Sequence, residues 1–340
     1  MLQLITRAKQ TLELRVVPEP EPGPGEATVA VEAVGICGSD LHLLSGDHPY
    51  SRFPLVQGHE FAGRVAALPD GYDGSIRVGD RVAVEPLLPC GTCIACRRGR
   101  TNCCLRMRTY GAHLDGALSE IICVPTSLLF AVDDLTSDLA ALVEPVSIGV
   151  HAVGRVSIEP GEKVVIFGAG PIGQAILLAA VERHASTLVV DRLESRLALA
   201  HAFGATETAL AADATESIAA WTSGDGPTVV FEATGVPGVL EQAIDLVASS
   251  GSVVVVGLSR MSVSVPMVEF TRKELAVLGS RNSAGEFPAA VDLVRSNRVK
   301  LERLITHRFD LEDGRAAFLQ AQDHPDETGK VIIHMGGASG

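Results

Sequence analysis

The chain has 340 residues, with 28 Lys and Arg against 41 Asp and Glu, for a formal net charge of −13. That length suggests two domains, and the acidic balance opposes a phosphate backbone, removing the main attractive term of nucleic-acid binding. No apolar run reaches the roughly 18 residues of a membrane span, and the N-terminus lacks the order of a secretory signal. A soluble cytoplasmic protein with a small-molecule substrate and no membrane partner is expected, and in that compartment seven cysteines point to metal or catalysis more than to disulfides.

Mixed apolar and polar runs at 12–17, 27–34, 61–65 and 77–84 are broken by Pro and Gly, and Pro18-Glu19-Pro20-Glu21-Pro22-Gly23-Pro24-Gly25 can be neither helix nor central strand. This spacing predicts an antiparallel, barrel-like segment over residues 1–149. Within it stand Gly35-Ile36-Cys37-Gly38-Ser39-Asp40 and, 22 residues after the cysteine (59 − 37), Gly58-His59-Glu60. One soft thiolate, one imidazole and one carboxylate form the donor set of a catalytic zinc with a position left open. A structural Cys beside a hydrogen-bonded His is the ordinary alternative, and the spacing alone leaves both open.

Cys90-Gly91-Thr92-Cys93-Ile94-Ala95-Cys96 followed by Cys104 gives C-x2-C-x2-C-x7-C in a lobe at about 86–106 with little apolar content. Four thiolates so spaced form a closed tetrahedral zinc site; an iron–sulfur cluster takes the same ligands, and Cys103 is an equivalent candidate for the fourth. Cys123, in the strand-like run 120–124, reads as a buried apolar side chain. Glu144-Pro145 ends the apolar segment 139–143, as a helix surface charge or as an acid turned into a cleft.

After Pro160-Gly161 the pattern changes to βαβ alternation, with apolar strands at 164–167, 187–190, 229–231 and 253–256, which means a parallel, doubly wound α/β sheet. The first strand runs into Gly168-Ala169-Gly170-Pro171-Ile172-Gly173, and a helix is predicted over 174–181. The first glycine permits the tight turn, the second lets a pyrophosphate approach the backbone, and the third lets helix pack on strand. The second strand ends on Asp191, 18 residues after Gly173 (191 − 173), where a carboxylate accepts ribose hydroxyls and repels a 2′-phosphate. This reads as NAD; Arg192 and Arg196, beside the same strand end, could instead accommodate a phosphate. The third and fourth strands end in Glu232-Ala233-Thr234-Gly235 and Gly257-Leu258, at the edge where the ligand crevice of such sheets lies. Residues 213–222 read as a surface helix with Asp213 as N-cap, and Val331-Ile332-Ile333 as a closing strand before a frayed, Gly-rich tail.

Together with Asp115-Gly116-Ala117, Glu120 and Gly279-Ser280-Arg281-Asn282, these motifs resemble, over essentially the whole chain, the zinc-containing medium-chain dehydrogenase/reductase family in its polyol and sugar-acid branch. The resemblance implies a GroES-like β-barrel catalytic domain (1–149), a Rossmann NAD-binding domain (150–279) and a return to the catalytic domain (280–340). It implies two zinc ions per chain, one catalytic and one structural. Cys37, His59 and one of Glu60 or Glu144 are then the catalytic-zinc ligands, with Glu60 ranked first because sorbitol dehydrogenase-like members use the glutamate after the histidine. Cys90, Cys93, Cys96 and Cys104 hold the structural zinc. Ser39 bonds the substrate alcohol, His42 is the outer member of a proton relay, and Asp40 orients His59. Thr234, Gly257, Leu258 and Asn282 join the glycine turn, Asp191, Arg192 and Arg196 along the cofactor.

Alcohol dehydrogenases carry a cysteine where Glu144 stands, which points away from the simple-alcohol branch. Residues 282–288 and Leu304-Ile305-Thr306-His307 look like those of enzymes that oxidise C5 of L-gulonate or L-galactonate, and Arg281 matches an arginine that could hold a carboxylate in two-pronged fashion. The implied reaction is NAD-linked oxidation of a secondary alcohol; a threonine or butanediol dehydrogenase, or a non-catalytic NAD(H) sensor of the same fold, are the alternatives. The family forms dimers and tetramers, usually by joining Rossmann sheets edge to edge, and Val263-Ser264-Val265 is the edge expected here.

Overall fold

A computed structural model describes residues 1–47 and 51–336. The chain separates into two compact units, Met1–Glu144 with Phe287–Gly340, and Pro145–Glu286. These crossings lie a few residues from the 149/150 and 279/280 boundaries expected from sequence. The helix Val143–Val153 runs unbroken through Gly149, which packs so closely on Ala175 that a Cβ there would meet its backbone at 2.5 Å. The tail from residue 337 lies outside the described residues.

The first unit is built on a mainly antiparallel seven-stranded sheet. Its order is Leu129–Ala131, Arg81–Val84, Glu60–Ala67, Glu26–Ile36, Lys330–His334 and Ile305–Asp310, with Ile121–Pro125 also pairing along Glu26–Ile36. The strand Glu26–Ile36 alternates half-buried and buried positions until its last four residues, all buried, as a strand does when it enters the interior. Val29, Val31, Val34, Phe61, Val82, Val331 and Ile333 belong to one core cluster. Two registers matter for the site: Gly35 faces Glu60 across one side of the central strand, and Ile36 faces Val331 across the other. The C-terminal strand thus lies beside the residues leading into Cys37. Residues 77–80 form a turn instead of the start of a strand, with Arg77 N–H donating to Asp80 Oδ2 at 2.7 Å. Cys123 is half-buried, not buried, its Sγ 3.7 Å from the Pro20 carbonyl oxygen.

The second unit holds a six-stranded parallel sheet in the order Glu207–Leu210, Ser186–Asp191, Lys163–Phe167, Val229–Glu232, Ser252–Val255 and Ala276–Gly279. Chain order reverses between Lys163–Phe167 and Val229–Glu232, the switch point at which open α/β sheets bind ligands. The central strands are apolar on both faces because helices cover both, and Val165, Phe167, Val190, Val230 and Val253 are all under 3% exposed. Four of the six strands are those expected from the apolar runs. The other two, Glu207–Leu210 and Ala276–Gly279, are the edges: the first carries no apolar run, and the second is apolar in sequence but mostly exposed. The edge expected at Val263-Ser264-Val265 is not a strand; the outer edge is Ala276–Gly279. Asp213 stands at the N-cap position of Ala214–Trp221 but makes no side-chain capping bond. Among the described residues no helix is long and apolar enough to cross a membrane.

Candidate active site

Cys37 follows the central strand and caps the helix Gly38–Ser45, whose third residue, Asp40, accepts the Cys37 N–H through Oδ2 at 2.9 Å. Asp40 is 1% exposed, and its other oxygen lies 3.4 Å from His59 Nδ1. Ser39 Oγ sits 3.4 Å from His59 Nε2. His59 and Glu60 lead into the neighbouring strand, and the ligand atoms of Cys37, His59 and Glu60 all lie within 4.8 Å of one another. One half-buried imidazole is thus set by a carboxylate on one nitrogen and stands beside a thiol, a second carboxylate and a hydroxyl, which is the donor chemistry of an open zinc site. Burial favours the neutral ring, but Asp40 and the Cys37 thiol override it and hold the His59 pKa well above the usual histidine range.

Glu144, in the first turn of Val143–Val153, is 7% exposed. Burial pushes its carboxyl up to about 7; His59 and Lys330 pull it down while Glu60 and Asp40 add to the rise. These mutual influences place Glu144 in the same charged cluster.

In the lobe, Cys90, Cys93, Cys96 and Cys104 converge within 4.8 Å, while Cys103 is exposed. The loop folds around the sulfurs with its own backbone: Cys93 N–H donates to Cys90 Sγ at 3.4 Å, and Cys90 N–H and Arg106 N–H donate to Cys104 Sγ at 3.2 and 3.3 Å. The Cys90 thiol is drawn down to about 5, first by the Thr92 backbone N–H and, after some opposing burial, by that of Cys93. Cys96 is pushed up to about 12 by burial and by the neighbouring sulfurs. A tetrad of mutually repelling sulfurs bound by N–H donors suits a closed four-thiolate cation site.

In the second unit Gly168 has φ +96, and Gly173 leaves no room for a side chain, since a Cβ would lie 1.7 Å from the Gly168 carbonyl oxygen. Gly170 precedes the helix Pro171–Glu182 with no side-chain cap, and Pro171 occupies its first turn. The N–H groups of that turn remain available to an anion. Asp191 Oδ2 accepts Ala169 N–H at 2.7 Å and Oδ1 accepts Leu193 N–H at 3.0 Å, so the acid also shapes the glycine turn. Arg196 Nη1 lies 4.0 Å from Asp191, and Arg192 is exposed.

Residues 23–134 match the alcohol dehydrogenase GroES-like domain, and residues 171–296 the zinc-binding dehydrogenase domain. The L-galactonate-5-dehydrogenase of Escherichia coli (strain K12) is 35% identical over 295 residues, covering 85% of this chain and 86% of the relative. The sorbitol dehydrogenase of Bacillus subtilis (strain 168) is 34% identical over 335 residues, covering 95% and 94%. A crystal structure of the alcohol dehydrogenase RspB from E. coli CFT073, complexed with NADH, superimposes with a TM-score of 0.92 at 30% identity, covering 98% of this chain and 99% of that one. The chain belongs to the zinc-containing medium-chain dehydrogenase/reductase family, in its sorbitol and sugar-acid branch.

This dehydrogenase accordingly pairs a GroES-like domain with a Rossmann-like one, and its donor sets fit the metal that the family carries. The predicted residues Cys37, Ser39, His59, Glu60 and Glu144 fall together in the first unit. His42 lies exposed on the helix Gly38–Ser45. In the second unit Thr234 and Leu258 are exposed, Gly257 packs so that a Cβ would meet Gly235 N at 2.1 Å, Arg281 is exposed, and Asn282 has φ 47.

Two buried charged side chains have roles that the sequence does not assign. Glu232, 1% exposed, accepts Thr234 N–H at 2.6 Å and Gly235 N–H at 2.8 Å, and so shapes the turn after its strand. Lys330, 2% exposed, pairs with Glu60. A charge at each end of an apolar strand was the available signal.

Proposed function

We propose that this enzyme oxidises a secondary hydroxyl of a polyol or sugar acid with NAD, the C5 hydroxyl of L-gulonate or L-galactonate being the favoured target. The observation that carries the reading is the convergence of Cys37, His59 and Glu60 within 4.8 Å, with the Ser39 hydroxyl 3.4 Å from the His59 ring. Zinc held by Cys37, His59 and a carboxylate supplies Lewis-acid polarisation of the alcohol, and NAD supplies the hydride acceptor. Asp40 fixes the His59 ring for that role. Ser39 takes the hydroxyl proton, and the exposed His42 passes it on to solvent. The Gly168–Gly173 turn and the following helix N-terminus hold the pyrophosphate, Asp191 holds the ribose, and Arg281 grips a substrate carboxylate. The likeness to L-galactonate-5-dehydrogenase supports the sugar-acid substrate.

Cys90, Cys93, Cys96 and Cys104 hold a second zinc that braces the lobe. We place the protein in the cytoplasm as a homodimer or homotetramer, joined along Ala276–Gly279, where Val277 is 38% exposed beside a helix exposing Met267 and Val268. Metal analysis with Cys37→Ser tests the reading: the variant keeps the lobe's zinc, loses the other and loses NAD reduction. Undiminished turnover would defeat it.

A further inference from the structure

Glu232 ends the apolar strand Val229–Glu232 and is itself 1% exposed. Its Oε1 accepts the N–H groups of Thr234 at 2.6 Å and Gly235 at 2.8 Å, and the Thr234 hydroxyl as well. Its backbone carbonyl oxygen accepts Val256 N–H at 2.8 Å and Gly257 N–H at 2.9 Å. One residue therefore shapes the turns that leave two neighbouring strands. None of these bonds uses Oε2, which stands at the second turn, where a Cβ on Gly257 would lie 2.7 Å from it. Among the described residues no Lys, Arg or His forms an ion pair with the carboxylate. Taking a charge out of water without a cation is costly. Three donors on one oxygen offset part of that cost and leave the negative charge in place.

The order of the sheet sets where that charge acts. Asp191 ends the strand on one side of Lys163–Phe167, and Glu232 ends the strand on the other. With the adenosine ribose at Asp191 and the pyrophosphate over Gly168–Gly173, the nicotinamide half of the cofactor runs over the Glu232 side of the switch point. We propose that Glu232 sets which redox form of the cofactor the site prefers, its fixed negative charge favouring the cationic ring of NAD+ over the neutral ring of NADH. The inference rests on the cofactor placement above and adds a bias to it. The charge helps oxidised cofactor load and reduced cofactor leave. Glu232 exchanges neither proton nor electron: the C–H bond of the alcohol breaks and the C–H bond at C4 of the ring forms without it.

Glu232→Gln is the clean perturbation, because its amide oxygen can take the same three donors while its NH2 group replaces Oε2 beside Gly257. Calorimetry on the whole protein gives the dissociation constants of NAD+, NADH and ADP-ribose. At an effective dielectric of about 20, two unit charges roughly 6–10 Å apart attract by the equivalent of about 10- to 100-fold in a binding constant. The ratio of the NAD+ to the NADH dissociation constant rises by about that factor in the variant, through weaker NAD+ binding. ADP-ribose, which has no ring, binds as it does to the native protein. Should the variant not fold, Glu232→Asp and Glu232→Asn make the same comparison one methylene shorter, and the ratio is higher in the asparagine variant. A ratio that stays within about threefold of the native value overturns the proposal, and all three ligands weakening together would mark Glu232 as a brace of its turn only. A native chain that binds neither NAD+ nor NADH overturns the cofactor placement and the proposal with it.

Discussion

Asp191→Asn probes the proposed cofactor site most sharply, because the carboxylate shapes the glycine turn and, in the proposed reading, also holds the ribose. It is 8% exposed and accepts Ala169 N–H and Leu193 N–H on separate oxygens. An amide keeps the size but offers one acceptor oxygen, so one of these donors faces an NH2 group. A hydrogen bond to a charged acceptor is worth about 1.5–3 kcal/mol and a neutral one about 0.5–1.5, so the turn and the ribose contact lose about 1–2 kcal/mol together. NADH binding then weakens by about 5- to 30-fold. The 2′-phosphate of NADPH gains instead, since a unit charge about 5 Å from the carboxylate is repelled by about 3 kcal/mol at an effective dielectric of about 20. Arg192 and Arg196 are at hand to pair with it. Fluorescence titration should show the preference for NADH over NADPH falling by at least about 100-fold, in a variant whose thermal unfolding confirms that it is folded. A folded variant with an unchanged preference would refute the role given to Asp191.

The lobe and the C-terminal return give further expectations. Cys93→Ser should release one zinc and lower the unfolding temperature of the lobe-bearing unit, because a structural zinc contributes folding energy directly; a stable, soluble and inactive variant would contradict a bracing role. Asp138 accepts from His334 Nε2 at 2.7 Å and from Arg308 Nε at 2.7 Å, tying the helix Ser137–Ala141 to the last two strands. The hydrogen bond to Asp138 raises the His334 pKa against its burial, and the two partners lower Asp138 against its own. The histidine's contribution is complete below its unfolded pKa of about 6.5 and is lost as pH rises through its raised folded value; the aspartate's is complete above about 3.9 and is lost as pH falls through its lowered one. Urea unfolding of His334→Asn should therefore show a deficit of about 1 kcal/mol near pH 6 that shrinks in alkali. A deficit that grows with pH would reverse the assignment.

The parts most legible in the sequence were those in which local chemistry and local structure coincide. The glycine turn needs φ +96 at Gly168 and bare space at Gly173, so its spelling is its geometry. The lobe closes its four sulfurs with neighbouring backbone N–H groups; the spacing marks the tetrad, while the choice of Cys104 over Cys103 follows the family resemblance. Of the edge strands, Glu207–Leu210 lacks the apolar run that betrays a central strand, while Ala276–Gly279 is apolar but exposed along most of its length, so its residues do not tell its place in the sheet. Lys330 was illegible for another reason. Its partner stands 270 residues away in the chain, and the pair exists only because two strand registers meet at Gly35. Cys123 was misread as buried because a β-branched neighbourhood predicts burial of the strand, not of each face.

The central claim is that a hydrogen with its electron pair passes directly from a carbinol carbon to nicotinamide. The most direct measurement uses a polyol or sugar acid that supports NAD reduction at 340 nm, drawn from sorbitol, L-gulonate and L-galactonate, with deuterium on the carbon to be oxidised. Deuterium is expected at C4 of the reduced ring, with a slower rate for the labelled substrate and no label in water. Label in the solvent, or no reduction with any of the three by a protein carrying zinc at both centres, would contradict it.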